Sequence, residues 1–263
     1  MKKYLFIYKS ELMSTLQYIF NMFTGLISYF VMIFVFINLW NYLYDDPSQL
    51  INGYSKVQMI WYVIITEILY MSLKGKRLCD NISKDIRSGN VAYNINKPYN
   101  YIGYVISSHL GKISLSFIFY LIFGIIIGII FLGSFPLSNI FSIMCVLICI
   151  VFSLVVSTLF SCFIGLFSFY IEDSVPFHWL YSKFILILGT MFPIEFFPKI
   201  IQPILRFSPV LAINYGVAKL FVDFSFNNFI YVLIAQIIYM ILMIIVCNIV
   251  YRKGVKKLNV NGG

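Results

Sequence analysis

Charge is scarce in this 263-residue chain: Asp, Glu, Lys and Arg make up 11% of it, where a soluble domain carries about 25%. That scarcity excludes an ordinary water-soluble fold. Histidine is almost missing, with two copies, and neither His109 nor His178 has an H-E-x-x-H neighbour. A general base needs an orienting partner, so each reads as structural or solvated. The serines form no G-x-S-x-G elbow, and the clustered His and acidic residues that an intramembrane enzyme needs are absent. The five cysteines, at 79, 145, 149, 162 and 247, have no C-x-x-C spacing. Cys145 and Cys149 share a helix face but have no third ligand near them in sequence; the set reads as small buried hydrophobes. No G-x-x-x-x-G-K-[ST] phosphate loop occurs, because the nearest fragment, Gly111-Lys112-Ile113, lacks both the upstream glycine and the hydroxyl. The expectation is a chain with no catalytic residue, no metal and no cofactor site of its own, and no ATP site. Internal repeats, low-complexity tracts and a soluble domain are also missing.

What is present is apolar. Hydrophobic residues make up 61% of the chain and the mean hydropathy is +0.90, the profile of an all-α integral membrane protein. The net charge of +9 could point to nucleic acid, but the basic residues stand at the ends of apolar segments and not on one face. They read as cytoplasmic flanks of membrane helices.

A membrane helix needs about 20 apolar residues, and runs near 19–40, 57–73, 113–133, 140–165 and 229–250 meet or approach that length. Trp40 and Trp61 flank the acidic loop NYLYDDPSQLINGYSK, as indoles at the outer headgroup level do. A sixth crossing over 177–194 requires Lys183 to snorkel inward, with Trp179 and Tyr181 anchoring that end. Beyond it Pro193, Pro198, Pro203 and Pro209 forbid an unbroken helix, so 195–228 is expected as short, re-entrant or outer helices. Taking LAINYGVAKLFVDF as a seventh span would bury Lys219 and Asp223 at about 2.5–3.5 kcal/mol each and put the basic tail YRKGVKKLN outside. With six spans both termini are cytoplasmic, as is segment 74–112, and only Lys56, Lys199, Arg206 and Lys219 of the 19 Lys and Arg lie on the outer side. The first residues, MKKYLFIYKSELM, begin like a signal peptide, but the apolar run is too long and no A-x-A-like site ends it. Residues 1–18 are expected instead as an interfacial amphipathic helix, with Tyr4, Leu5, Tyr8, Leu12 and Leu16 on one face and Lys3, Ser10, Ser14 and Gln17 on another.

Several residues are candidates for a role. Glu67 is the one acid well inside a clean span, which makes it either a pathway residue or a carboxylate satisfied within the bundle. Glu195, in FPIEFFP between Pro193 and Pro198, places a charge where the bilayer makes it expensive, and suits a pathway or re-entrant role. Glu172 and Asp173 read as a solvated helix end, with an acidic docking pair as the alternative. Gly124 and Gly128 form a G-x-x-x-G pair that lets helices pack closely, within the bundle or across a dimer. The polar stretch Lys74–Pro98 carries six basic residues against two acidic ones. Within it, Asp80 or Asn81 is expected to cap a helix from Ile82 to Arg87 that buries Ile82 and Ile86, with a turn at Gly89-Asn90.

These features together resemble the permease subunits of ATP-binding-cassette (ABC) exporters of the type 2 class. DIRSGNVAYNINKP, residues 85–98, looks like the acid-x-Arg-Ser-Gly, small apolar, Lys/Arg-Pro pattern after the second span in one branch of them. FPIEFFP followed by LRFSPVLAI is similar to that branch's outer re-entrant region. Asn94 and Asn96 depart from the more apolar residues usual there, and Lys97 stands where Arg is common. The resemblance implies a single transmembrane permease domain over 1–263 in the cell membrane. It also implies dimerisation with a second copy or a paralogous permease, and docking of cytosolic ABC ATPase subunits, which bind the ATP and Mg. The coupling residues would be Asp80, Ile82, Lys84, Asp85, Ile86, Arg87, Ser88 and Gly89, and the cargo a hydrophobic or amphipathic peptide antibiotic, drug or lipid. The alternative is an ATP-independent channel or ion-coupled carrier, which the few intramembrane acids and the lack of inverted repeats disfavour.

Overall fold

The computed structural model of the chain describes residues 2–18, 20–46, 48–95 and 97–261; Asn96 lies outside them. Among the described residues the chain is helical, without a strand: α1 (Lys2–Leu16), α2 (Phe20–Leu43), α3 (Lys56–Leu73), α4 (Gly75–Arg87), α5 (Asn90–Ile95), α6 (Tyr101–Leu132), α7 (Ile140–Leu166), α8 (Val175–Ile185), α9 (Gln202–Arg206), α10 (Gly216–Val222) and α11 (Phe226–Asn261). Among the described residues five helical stretches are long and apolar enough to cross a membrane, one each at α2, α6, α7 and α11 and one running from α3 through α4.

The crossing expected over 177–194 is not among these five. Helix α8 stops at Ile185, a π-helical turn spans Leu186–Met191, and Phe192 and Pro193 are extended at its end. Proline cannot donate to a continuing helix. The chain therefore proceeds in short pieces: a 3-10 turn at Ile194–Phe196, then α9, a second π-helical turn at Leu211–Tyr215, and α10.

Segment 74–112, where a helix is expected only over Ile82–Arg87 before the next span, is mostly helix. The third long helix begins at Tyr101 and not near 113, because Asn100 caps it by accepting from the Gly103 N–H at 3.1 Å. At about 1.5 Å per residue its 32 residues reach roughly 48 Å, beyond a hydrocarbon core of about 30 Å. Helix α1 packs along this overhang. Tyr8 donates to Ser114 Oγ at 2.9 Å, while Glu11 accepts from Ser108 Oγ at 2.8 Å and pairs with Lys112 at 3.4 Å. The packed face of α1 therefore carries Tyr4, Ile7, Tyr8, Glu11 and Leu12, whereas Leu5 and Leu16 are exposed.

Helix α3 runs through the centre, buried at every residue from Met59 to Leu69, as a helix apolar on all sides must be. Its entrance is set by a two-residue turn. Asn52 and Gly53 both take positive φ, and Ile51 and Tyr54 exchange backbone hydrogen bonds at 3.0 Å. A capping box between Ser55 and Gln58 then starts the helix. Trp40 and Trp61, which flank this turn in the sequence, are buried in the core. Trp61 donates to the Ser134 carbonyl at 3.0 Å and lies over Gly128, where a Cβ would collide with its ring. Gly124 leaves room in the same way for Tyr29 and Ile68, so both glycines face neighbours of the same bundle.

Candidate functional site

Helix α4 is built with two faces. Leu78, Ile82 and Ile86 recur every fourth residue and are buried with Cys79 and Ser83, while Lys76, Arg77, Asn81, Lys84 and Arg87 are exposed. The helix starts at Gly75 and not at Ile82, so Asp80 and Asn81 are interior positions and not caps. Asp80 pairs with Lys84 one turn on, at 2.7 Å; between such exposed groups this contributes about 0.3–0.5 kcal/mol. The reason for the early start lies at Lys74, whose left-handed backbone, φ 43°, breaks α3 and restarts the chain at once as α4. Leu73, the last residue of α3, has its carbonyl freed by that break, and His109 Nε2 donates to it at 2.9 Å. Lys74 Nζ reaches Ser116 Oγ at 2.7 Å. At the far end Ser88 and Gly89 close the helix onto Lys84 and Ile86, with Gly89 at φ 76°.

Close contacts seat α4 on α7 and α8. A Cβ on Gly165 would lie 3.0 Å from Ile82 Cβ, and one on Gly75 would collide with Ser161 Oγ and lie 2.7 Å from His178 Nε2. His178 Nε2 and Ser161 Oγ are 3.1 Å apart. Both histidines are thus buried fasteners of the α3–α4 junction. Asp85 is tied down as well, its Oδ2 accepting from the Tyr101 hydroxyl at 3.0 Å. Arg87 makes no ion pair among the described residues, and it stands beside the exposed turn Ser88-Gly89. Glu172 and Asp173 are exposed, and Asp173 accepts from the Val175 N–H at 3.0 Å at the start of α8.

The middle of α3 is stitched to the two π-helical turns. Tyr62 donates to the Gly189 carbonyl at 2.7 Å and Thr66 to the Thr190 carbonyl at 2.9 Å, which satisfies end carbonyls of the first turn. Asn214, in the second, donates to Thr190 Oγ1 at 2.6 Å, and Gln236 of α11 donates to the Ala212 and Cys149 carbonyls at 2.9 Å. Glu67 lies fully buried in α3, and neither carboxylate oxygen has a hydrogen-bond partner among the described residues. Asn214 and Gln236 were legible as polar residues inside apolar runs, which commonly hydrogen-bond across helices; the π-helical turns they serve leave no mark in composition.

At the end of α3 opposite α4, Glu195 is held by two tyrosines. Tyr54 donates to Oε2 at 2.9 Å and Tyr215 to Oε1 at 2.5 Å. Burial, and then the neighbouring Tyr215 and Glu195, push the Tyr54 hydroxyl above the ordinary tyrosine range, so it stays a donor. Pro193 is buried and Pro198 exposed, bracketing the turn that carries Glu195. Around it α9, α10 and the start of α11 line an open cavity of about 650 Å³.

A family model described as ABC-2 family transporter protein matches residues 10–262. No curated protein matches the chain.

Proposed function

The chain belongs to the ABC-2 family of transporter proteins, and from that premise we propose that it is the permease subunit of an ATP-driven exporter. Membership makes it a multi-pass membrane transport subunit that partners an ABC ATPase. In our reading two permeases, identical or paralogous, form the pathway, and the ATPase subunits bind the ATP and Mg and dock on residues 80–90. Both termini and α4 then face the cytoplasm of a cell-membrane protein. Helix α1 lies at that interface, and the pieces between Ile194 and Val222 form the outer re-entrant region. The cargo is hydrophobic or amphipathic.

One observation carries this reading: α4 presents a polar, largely basic face outward while its apolar face is wedged against α7. It joins α3 through one residue, Lys74. A partner that pushes on the polar face therefore moves the central helix directly, and ATP-dependent binding can bias the bundle between two states. Glu67, Glu195, Pro193 and Pro198 stand along or at the end of the helix that is moved, and serve in this reading as pathway or re-entrant residues.

The test is co-reconstitution with its cognate ABC ATPase. We expect stable association and cargo movement that requires ATP hydrolysis. Flux through the purified chain in liposomes with no ATPase present would instead support the channel or ion-coupled carrier.

A further inference from the structure

In the proposed orientation four basic residues stand against the positive-inside rule, and three of them, Lys199, Arg206 and Lys219, line the same cavity. They come from the turn before α9, the end of α9 and α10, so their meeting is a product of the fold. We propose that this cavity binds the phosphate head group of an anionic glycerophospholipid from the leaflet opposite α4.

The charge arrangement favours an external anion. Among the described residues Glu195 is the one acid in the lining, and both of its oxygens accept from Tyr54 and Tyr215. Lys199 and Arg206 form no ion pair among the described residues. Lys219 pairs with Asp223 at 2.9 Å and lies 4.4 Å from the Tyr54 ring centroid, which fixes its ammonium at the cavity edge. A guanidinium and an ammonium that line one cavity, Arg206 and Lys199, can recognise phosphate, the Arg through its planar fork and the Lys as a point charge, with the Asp223-paired Lys219 beside them in the lining. The volume of about 650 Å³ falls within the usual range for small-ligand sites, about 300–1,000 Å³.

The surroundings favour a lipid over a soluble anion. Leu211, Leu220 and Val232 wall the cavity, and from its rim an exposed apolar stripe, Ile230, Ile234, Ile238, Ile241 and Ile245, descends α11. At about 1.5 Å per residue that stripe runs roughly 22 Å, longer than the half-core of about 15 Å that one leaflet supplies. Tyr231 and Tyr239 donate to the Arg206 and Phe207 carbonyls, tethering α9 to α11. Head group and acyl chains therefore have adjacent, mutually fixed surfaces. The choice of leaflet rests on the orientation proposed above; the cavity does not.

The experiment uses the full-length chain in phosphatidylcholine vesicles containing spin-labelled phosphatidylglycerol, and reads the motionally restricted fraction by electron paramagnetic resonance. We expect selectivity for phosphatidylglycerol over labelled phosphatidylcholine, reduced about tenfold by the double substitution Lys199→Gln/Arg206→Gln. Lys56→Gln, which alters the fourth outer cation but not the cavity, should leave it intact. Both substituted residues are exposed, so an unchanged melting temperature verifies the fold. Equal selectivity in wild type and double variant overturns the proposal, as does an equal loss in Lys56→Gln. Soluble glycerol phosphate that displaces the labelled lipid at comparable concentration would make this a soluble-anion site and overturn the lipid assignment. No ATPase is present, so failure here leaves the exporter reading standing, and absence of ATPase association leaves this result standing.

Discussion

Gly165 is the position at which the proposed transmission can be tested most directly. A Cβ added there would lie 3.0 Å from both Ile82 Cβ and Cδ1 and 3.3 Å from Cys79 Cα, whereas carbon atoms rest at about 3.5–4.0 Å. Alanine therefore requires α4 to retreat from α7 by roughly 0.5–1 Å, and valine by more. Overpacking of this kind costs about 1–3 kcal/mol, enough to shift a two-state equilibrium by about tenfold for every 1.4 kcal/mol. The assay is cargo moved per ATP hydrolysed by the reconstituted complex, in the series Gly165→Ala and Gly165→Val, with Val151→Leu on the exposed side of the same helix as control. We expect the ratio to fall stepwise along the series while the control matches wild type. Ile82→Ala, which removes the crowded Cδ1, should restore part of the loss in a double-mutant cycle. If Gly165→Val is folded and transports normally per ATP, the seat of α4 on α7 does not transmit the push and the coupling argument fails.

Arg87→Glu changes an exposed residue and should leave the melting temperature within about 0.5 kcal/mol of wild-type stability, yet weaken ATPase association at least tenfold in a pull-down titration. Unchanged affinity would remove Arg87 from the docking face. Asp85→Lys should lower both association and stability, because it also loses the Tyr101 hydrogen bond; retained thermal stability would contradict the geometry. Glu67→Leu removes a buried carboxylate without hydrogen-bond partners among the described residues, so the melting temperature should hold or rise, by up to about 1–3 kcal/mol in stability. Cargo transport should fall, and undiminished transport would show that Glu67 has no part in the pathway. Tyr54→Phe deletes a hydrogen bond to a carboxylate, which costs about 1.5–3 kcal/mol and should appear as a lower melting temperature. The Glu195 clamp is structurally idle if the melt is unchanged.

Helical membrane architecture was readable directly, because in lipid the apolar run is itself the folding signal. The two-faced character of α4 was equally plain, since Ile82 and Ile86 one turn apart mark the buried stripe. Its start was not legible: Gly75 opens the helix only because Lys74 adopts a left-handed backbone and His109, distant in sequence, takes up the freed Leu73 carbonyl. The helical face of α1 shifted for a similar reason, because Glu11 is drawn inward by Ser108 and Lys112, which hydropathy cannot anticipate. Leu186–Met191 reads as an ordinary spanning segment, yet it winds into a π-helical turn where Tyr62 and Thr66 reach its end carbonyls. The cavity is the clearest case. Lys199, Arg206 and Lys219 are each an isolated exception to charge topology, and nothing in their spacing foretells convergence. Local chemistry sets whether a segment enters the bilayer and which side of a helix is apolar. Bringing separated polar groups to one point depends on how helices cross, and that is settled by packing across the whole bundle.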